Sequence, residues 1–174
     1  MNLKRQIEAL IFISESPISI KALSEVFKIE KSKISTAINE LIEEYKNLEL
    51  SIEIVEVANG YQFRSKDKYK EIIKEYINKK PFKLSRASLE VLGIISKKQP
   101  VTKQEIDKIR GVDSTGVINV LLERELINVS GEKNVPGRPF LYKTTEMFLE
   151  VFSLKDINDI PDLEEFEEYE KNKI

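Results

Sequence analysis

The feature that most constrains this chain is an internal repeat with a spacing of 83 residues. Pro17 and Pro100 stand at that interval, and each is followed by an apolar residue and then by a hydroxyl side chain that can cap a helix. The same offset aligns Ile18 with Val101, Ser19 with Thr102, Leu23 with Ile106, Val26 with Ile109, Ile34 with Val117 and Ile38 with Leu121. Because a proline, a cap and four predicted inward-facing positions agree, the sequence predicts two copies of one small domain.

The first copy is predicted to consist of three helices followed by a β-hairpin. Apolar residues recur at helical spacing in the helices, and they alternate with acidic residues in the first strand. Ala58, Asn59 and Gly60 form a tight turn between the two strands. The first predicted helix covers residues 3–14, and the second is capped by Ser19 and runs through Phe27. A turn over residues 29–31 follows, and the third helix then runs to about Tyr45. The predicted strands cover residues 51–57 and 61–64. This order is that of a winged helix, in which the hairpin is the wing.

The second copy follows the same order. A helix begins at Ser85 and is broken at Pro100, and Thr102 to Glu105 has the pattern of a capping box. The helix that follows ends at Gly111, and Asp113 or Ser114 opens the next, with Val117, Val120 and Leu121 predicted to face inward. The predicted hairpin pairs residues 126–130 with 140–144, and a last helix carries Phe148, Leu149 and Phe152. We therefore predict a mainly α fold with small β-hairpins, made of two tandem winged-helix domains.

Domain limits follow from a helix predicted over residues 67–78 and the Lys-Lys-Pro-Phe stretch that ends it. We predict a first domain over residues 1–80 and a second over residues 81–161. Residues 162–174 hold six acidic and two basic side chains, and we expect this tail to be disordered.

Composition excludes several kinds of function. The sequence has no cysteine and no histidine, so it lacks the ligands of common zinc sites and the groups of Cys–His and Ser–His–Asp catalysis. It shows no phosphate-binding loop and no metal-ligand spacing. No apolar run is long enough for a membrane span, and glutamates interrupt any N-terminal signal sequence. We expect no catalytic site, no cofactor, no metal and no small-molecule substrate.

The first helix carries more apolar residues than one buried stripe needs. Ala9, Phe12 and Ile13 widen its apolar surface, and Phe12 points away from the face that holds Ile7 and Ile11. Two interpretations remain open. The helix is either buried on several sides within its own domain or shared with a second subunit, in which case Ala9, Phe12 and Ile13 are the candidate dimer interface.

DNA binding is the alternative function that a winged helix suggests. The third helix of the first domain offers Lys31, Lys33 and Asn39, but glutamates flank them. The corresponding helix of the second domain begins with Asp113, which repels phosphate. The net charge of −2 neither requires nor excludes DNA contact. The alternative is a winged-helix transcriptional regulator.

An ordered series of short motifs resembles segregation and condensation protein B of bacterial condensin. In the second half the motifs are Leu84-Ser85-Arg86-Ala87-Ser88-Leu89-Glu90, Ile94-Ile95, Gln99-Pro100-Val101-Thr102, Glu105-Ile106, Arg110-Gly111-Val112, Leu126-Ile127, Gly137-Arg138-Pro139, Leu141-Tyr142, Thr144-Thr145, Phe148-Leu149, Phe152 and Ile160-Pro161. In the first half Ile7 to Phe12, Pro17 and Gly60-Tyr61 fit more loosely. Three positions depart from the family pattern: Ser153 replaces a common glycine, Glu132 a common basic residue and Lys97 a frequent aromatic.

The resemblance implies a non-enzymatic subunit of the SMC–kleisin condensin complex. Such a protein is expected to be a homodimer through its first domain and to bind the kleisin mainly through its second, with SMC reached through the kleisin. It would support chromosome condensation and segregation in the cytoplasm, associated with the nucleoid, with at most weak DNA contact and no membrane contact. The candidate kleisin-binding residues are Arg138, Tyr142 and Phe148. Core packing is the competing role for the two aromatic residues, and a surface ion pair or hairpin hydrogen bond for the arginine.

Overall fold

Two compact units make up the computed structural model, unit 1 over residues 1–80 and unit 2 over residues 81–174. The structure describes residues 2–77 and 83–160. The predicted acidic tail, residues 162–174, lies outside the described residues. Each unit contains three helices followed by an antiparallel hairpin and a further helix, and each is a winged helix.

Unit 1 begins with three helices, and side-chain caps mark the starts of the first two. Asn2 and Ser19 have extended backbones and accept hydrogen bonds from the first turns of the first two helices. The elements are α1 (Leu3–Ile13), α2 (Ile20–Phe27), α3 (Lys31–Asn47), β1 (Ile52–Val57), β2 (Gly60–Ser65), a short 3₁₀ helix (Asp67–Tyr69) and α4 (Lys70–Ile77). The structure confirms the predicted order of helices and strands.

The core of unit 1 is built from the predicted apolar stripes. It holds Ile7 and Ile11 of α1, Leu23 of α2, Ile34, Ile38 and Leu41 of α3, and Ile54 and Tyr61 of the hairpin. Burying each of these aliphatic side chains contributes about 2 kcal/mol before the entropy cost of ordering it. One face of α1 is therefore fixed to the domain, while its other face remains at the surface.

Unit 2 repeats this architecture with a three-stranded sheet. Its elements are α5 (Arg86–Lys98), β3 (Val101–Thr102), α6 (Lys103–Arg110), α7 (Thr115–Glu123), β4 (Ile127–Glu132), β5 (Phe140–Thr144), α8 (Glu146–Phe152) and a 3₁₀ helix (Ile157–Asp159). The strand order is β3-β5-β4, and all neighbours are antiparallel. Strand β4 is thus an edge strand.

The same backbone pairing joins the hairpin to the helices in both units. In unit 1, Ile18 pairs with Tyr61 through two N–H···O=C hydrogen bonds of 3.0 Å. In unit 2, Val101 pairs with Tyr142. The pairing in unit 1 leaves no room for a side chain at Gly60, because a Cβ there would lie 2.8 Å from the carbonyl carbon of Pro17. This close approach explains the glycine.

Several positions predicted to face inward are exposed instead. Val26 is 62% exposed and its repeat counterpart Ile109 is 50% exposed. Both lie in the last turn of an eight-residue helix, outside the buried stripe set by Leu23 and Ile106. In α7 the prediction also needs correction. Val120 is 38% exposed and Val117 is half-buried, whereas Ile118 is buried beside the correctly predicted Leu121.

The apolar stripe of α4 is largely exposed as well. Ile72 is 61% exposed and Tyr76 is 89% exposed, whereas Ile73 is half-buried. Helical periodicity correctly predicted the helix. It did not show whether another part of the protein covers the apolar stripe.

A capping box ties α6 to the hairpin of unit 2. The Thr102 hydroxyl accepts the backbone N–H of Glu105, whose carboxylate accepts the N–H of Thr102 in return. The Lys133 ammonium donates to the other carboxylate oxygen at 2.6 Å. This lysine, together with the hydrogen bonds from Thr102, lowers the pKa of Glu105 to about 2.

We expect unit 2 to lose stability in acid through Glu105. Because the folded-state pKa lies below the ordinary value of 4.5, the stabilisation is complete above that pH and is lost as pH falls towards 2. Glu105→Gln retains the capping geometry but removes the charge, so its melting temperature should change less over this range. The effect should stay below about 1 kcal/mol, since both partners are more than 40% exposed. Glu123→Gln is the control, and an equal acid response in both variants would contradict this assignment.

Left-handed backbone at two helix ends gives a second stability prediction. Lys28 ends α2 with φ 56° and ψ 40°, and Ser153 ends α8 with φ 56° and ψ 36°. At Ser153 this conformation gives a physical reason for the glycine that the family resemblance implies there, since glycine adopts it without a Cβ clash. Lys28→Gly should stabilise unit 1 by about 0.5 to 1 kcal/mol in urea unfolding. Lys28→Ala keeps the Cβ and should bring no such gain, so equal effects of the two changes would refute the explanation.

Candidate protein-interaction surfaces

The outward face of α1 is an exposed apolar surface. Phe12 and Ile13 are each 75% exposed, and Ala9 is exposed beside them. The ring of Phe12 meets that of Phe63 on β2 edge-to-face, with centroids 6.3 Å apart. We call Ala9, Phe12, Ile13 and Phe63 the α1 surface. Of the two interpretations left open by the sequence, burial of these α1 side chains within their own domain is wrong.

Polar contacts behind the α1 surface hold α1 against α3. Lys4 and Arg5 form ion pairs with Glu44, and the Tyr45 hydroxyl donates to Glu8 at 2.5 Å. The bonds from Arg5 and then Lys4 lower the pKa of the Glu44 carboxyl. Burial, reinforced by Glu8, raises the pKa of Tyr45 to about 12. The α1 surface is therefore presented on a helix that is already fixed in position, which reduces the entropy cost of binding.

The wing of unit 2 uses its cations within the domain. Arg138 is 78% exposed at its side chain and forms an ion pair of 2.9 Å with Glu132 across the hairpin. Lys133 is held by Glu105. Where the family resemblance implies a basic residue, this chain thus has the carboxylate of Glu132, which pairs with the wing arginine. Because both cations are paired with carboxylates, this wing is poorly suited to bind a phosphate.

The two aromatic candidates for kleisin binding lie in the core. Phe148 is 0% exposed and packs against Phe152 with ring centroids 5.0 Å apart. Tyr142 is 8% exposed on β5, between its strand partners Val101 and Val129. Both rings therefore take the core-packing role that the sequence left open for them, and a buried ring offers little surface to a partner. Of the three candidates, only Arg138 is exposed.

In unit 2 the helix that would face DNA is α7, and carboxylates of the chain itself bind the backbone N–H groups at its start. Asp107 accepts the backbone N–H of Ser114 at 2.8 Å, and Asp113 accepts that of Thr115 at 3.0 Å. Lys103 bridges the two carboxylates at 2.7 and 2.5 Å. Since these N–H groups and this lysine are engaged, the start of α7 has little to offer a phosphate.

In unit 1 the exposed side of α3 is acidic around Glu40 and Glu43, whereas Lys31 and Lys33 are exposed at the start of the helix. A shallow cleft of about 730 Å³ there is lined by Glu40, Glu43 and Glu44 together with Lys4, Thr36, Asn39 and Asn47. Lys4 pairs with two of those glutamates. The carboxylates thus surround the polar side chains that would have to read base edges, as the sequence predicted.

The sequence did not reveal a second cleft, of about 650 Å³, in unit 2. It lies where the end of α7, the paired ends of β4 and β5 and the first turn of α8 meet. Exposed Val129 and Met147 contribute apolar surface to it. The one available signal was that β4 has no charged residue before Glu132, but periodicity alone does not show which strand lies at the edge of a sheet.

Neither a metal centre nor a membrane span is found in the parts of the chain that the structure describes. Within residues 2–77 and 83–160, no group of three or more acidic residues could hold a metal ion. No helix over the same residues is long and apolar enough to cross a membrane.

A family model and several named relatives match most of this chain. The family model of segregation and condensation complex subunit ScpB matches residues 5–163. Segregation and condensation protein B of Syntrophotalea carbinolica is 40% identical over 91% of this chain and 80% of its own length. The protein of the same name from Clostridioides difficile is 42% identical over 90% of this chain and 89% of its own.

Among solved structures, a conserved hypothetical protein from Chlorobium tepidum is similar to this chain. It is 38% identical, and the match covers 87% of this chain and 96% of that one with a TM-score of 0.41. The sequence matches carry the assignment, since they extend through both winged helices. This chain belongs to the segregation and condensation protein B family.

Proposed function

We propose that this chain is a non-enzymatic subunit of the bacterial SMC–kleisin condensin complex, which binds the kleisin as a homodimer and supports chromosome condensation and segregation. The observation that carries the proposal is the family match over residues 5–163. The chain would act in the cytoplasm, associated with the nucleoid, and would reach SMC through the kleisin. Its contribution is to hold other proteins in a fixed arrangement.

A binding mechanism fits the chemistry of the described residues. The lowered pKa of Glu105 and the raised pKa of Tyr45 both have structural causes, a capping box and a helix-to-helix hydrogen bond. Perturbed groups at an enzyme site would instead converge on a pocket that can hold a substrate. Affinity would come from buried apolar anchors, with polar contacts that set the register.

The α1 surface is the proposed dimer interface. A two-fold axis beside α1 would bring the same apolar patch of two subunits together, so that each Phe12 packs against its copy or against neighbouring Ile13. Aromatic anchors on a fixed helix are typical of the residues that dominate binding energy. Ala9 would let the two helices approach closely.

Unit 2 is the proposed main contact for the kleisin. Arg138 is the sequence-predicted residue that is still available for this role, since its side chain is exposed at the wing. A partner carboxylate could compete with Glu132 for the guanidinium. Tyr142 and Phe148 would act indirectly, by keeping the wing and α8 in position.

Co-expression with the kleisin from the same genome tests the proposed function. A tagged copy of this chain should retain the untagged kleisin through a high-salt wash, because the expected anchors are apolar. Failure to retain it would overturn the proposal.

Phe12→Glu tests the dimer interface. A buried carboxylate in the interface is costly, so the variant should sediment as a monomer where the unchanged chain sediments as a dimer. The fold should persist, since Phe12 is 75% exposed in the single chain, and circular dichroism would verify this. Val26→Glu is a matched control at an exposed apolar position of the same unit and should leave the dimer intact. A dimeric Phe12→Glu variant would show that the interface lies elsewhere.

A further inference from the structure

Strand β4 is the open edge of the unit 2 sheet. It pairs with β5 alone among the described residues, and only Ile127 of its six residues is buried. An edge strand directs backbone N–H and C=O groups away from its sheet, where they can pair with another extended chain. A shift in register between Val129 and Gly131 bends the strand near the wing. The stretch over residues 127–129 is therefore the regular part of this edge.

This edge lacks the protection that charged side chains give to the corresponding strand of unit 1. Strand β1 carries Glu53 and Glu56 within its six residues. Strand β4 carries no charge until Glu132 at its far end, and Val129 is 45% exposed. Since charges on edge strands discourage pairing with other chains, their absence here marks an edge that can accept one.

The cleft of about 650 Å³ beside this edge provides a place for an anchoring side chain. Leu122, Ile127, Val129 and Met147 give it an apolar wall, and Met147 is 40% exposed. The volume is within the range of sites that hold one or two side chains or a small ligand. A flexible methionine can adapt to the shape of the inserted group.

The charges around the cleft favour a basic partner. Glu125 and Glu146 line it and form no ion pair within the described residues, in contrast to Glu105 and Glu132 of the same unit. Lys143 is the cation in the lining. Two carboxylates beside one lysine leave a negative balance, which complements a peptide that carries lysine or arginine.

We propose that the edge of β4 and this cleft bind an extended segment of the kleisin by strand addition. The segment would pair with residues 127–129, place an apolar side chain against Val129 and Met147, and direct a basic side chain towards Glu125 and Glu146. The inference rests on the proposed function for its partner. It adds the surface and the chemistry of the segment that the surface selects.

Two substitutions in the full-length chain test the two parts of this site. Val129→Lys places a charge on the open edge, and Glu146→Lys reverses the charge of the cleft. Each should weaken binding of full-length kleisin about tenfold or more, as measured by calorimetry. The matched controls are Val120→Lys, at a similarly exposed apolar position of unit 2, and Glu123→Lys, on α7 outside the cleft lining. Both controls should bind as the unchanged chain does.

The outcomes separate this inference from the proposed function. If the unchanged chain binds kleisin and both variants bind equally well, the β4 site is wrong and the proposed function stands. If the unchanged chain does not bind kleisin at all, the proposed function itself fails. If Val129→Lys alters sedimentation of the free chain and leaves kleisin affinity unchanged, the edge pairs with a second copy, which also overturns the proposal.

Hydrogen exchange provides an independent readout of strand addition. Backbone amides within residues 127–129 should exchange more slowly when the kleisin is bound, because a new strand would cover them. The amides of β1 in unit 1 serve as the internal reference. Unchanged exchange along β4 in a complex that forms would refute strand addition.

Discussion

A short backbone pairing between the segment after each proline and the second hairpin strand determines the architecture of both units. Ile18 pairs with Tyr61 in unit 1, and Val101 pairs with Tyr142 in unit 2. Each pairing holds the hairpin against the helices and buries a tyrosine beside the core. It also determines which surfaces remain free. In the strand order β3-β5-β4, one side of β5 pairs with β3 and the other with β4, so that β4 lies at the edge of the sheet.

The distribution of paired charges explains why the winged helix of unit 2 suits protein binding better than DNA binding. At the start of α7, Asp107 and Asp113 take the backbone N–H groups that a phosphate would need. At the wing, Glu132 takes Arg138. Exposed apolar side chains such as Phe12 and Val129 remain, and these gain free energy when a protein partner covers them. The same fold can serve a different partner because function resides in the surface side chains.

Local signals in the sequence were sufficient for the elements and for part of the candidate sites. The caps at Ser19 and Thr102 were predicted because a hydroxyl at a helix start interacts with its own next turn. Exposure of Phe12 was left open because helical periodicity shows which side chains share a face of the helix. It does not show whether another part of the protein packs against that face. For Phe148 and Tyr142 the sequence left core packing and partner contact open for the same reason, and the structure buries both. The β4 cleft was missed because it exists only where strand pairing brings together the ends of α7, β4, β5 and α8.

The central claim is that this chain presents protein-binding surfaces in place of DNA-reading ones. Its most direct test is a comparison of two binding partners, purified kleisin and duplex DNA, each titrated with the full-length chain from low to high salt. The account predicts a kleisin complex that persists at high salt, while any DNA binding is weak and falls steeply as salt rises. A chain that selects a particular DNA sequence and does not bind the kleisin would contradict it.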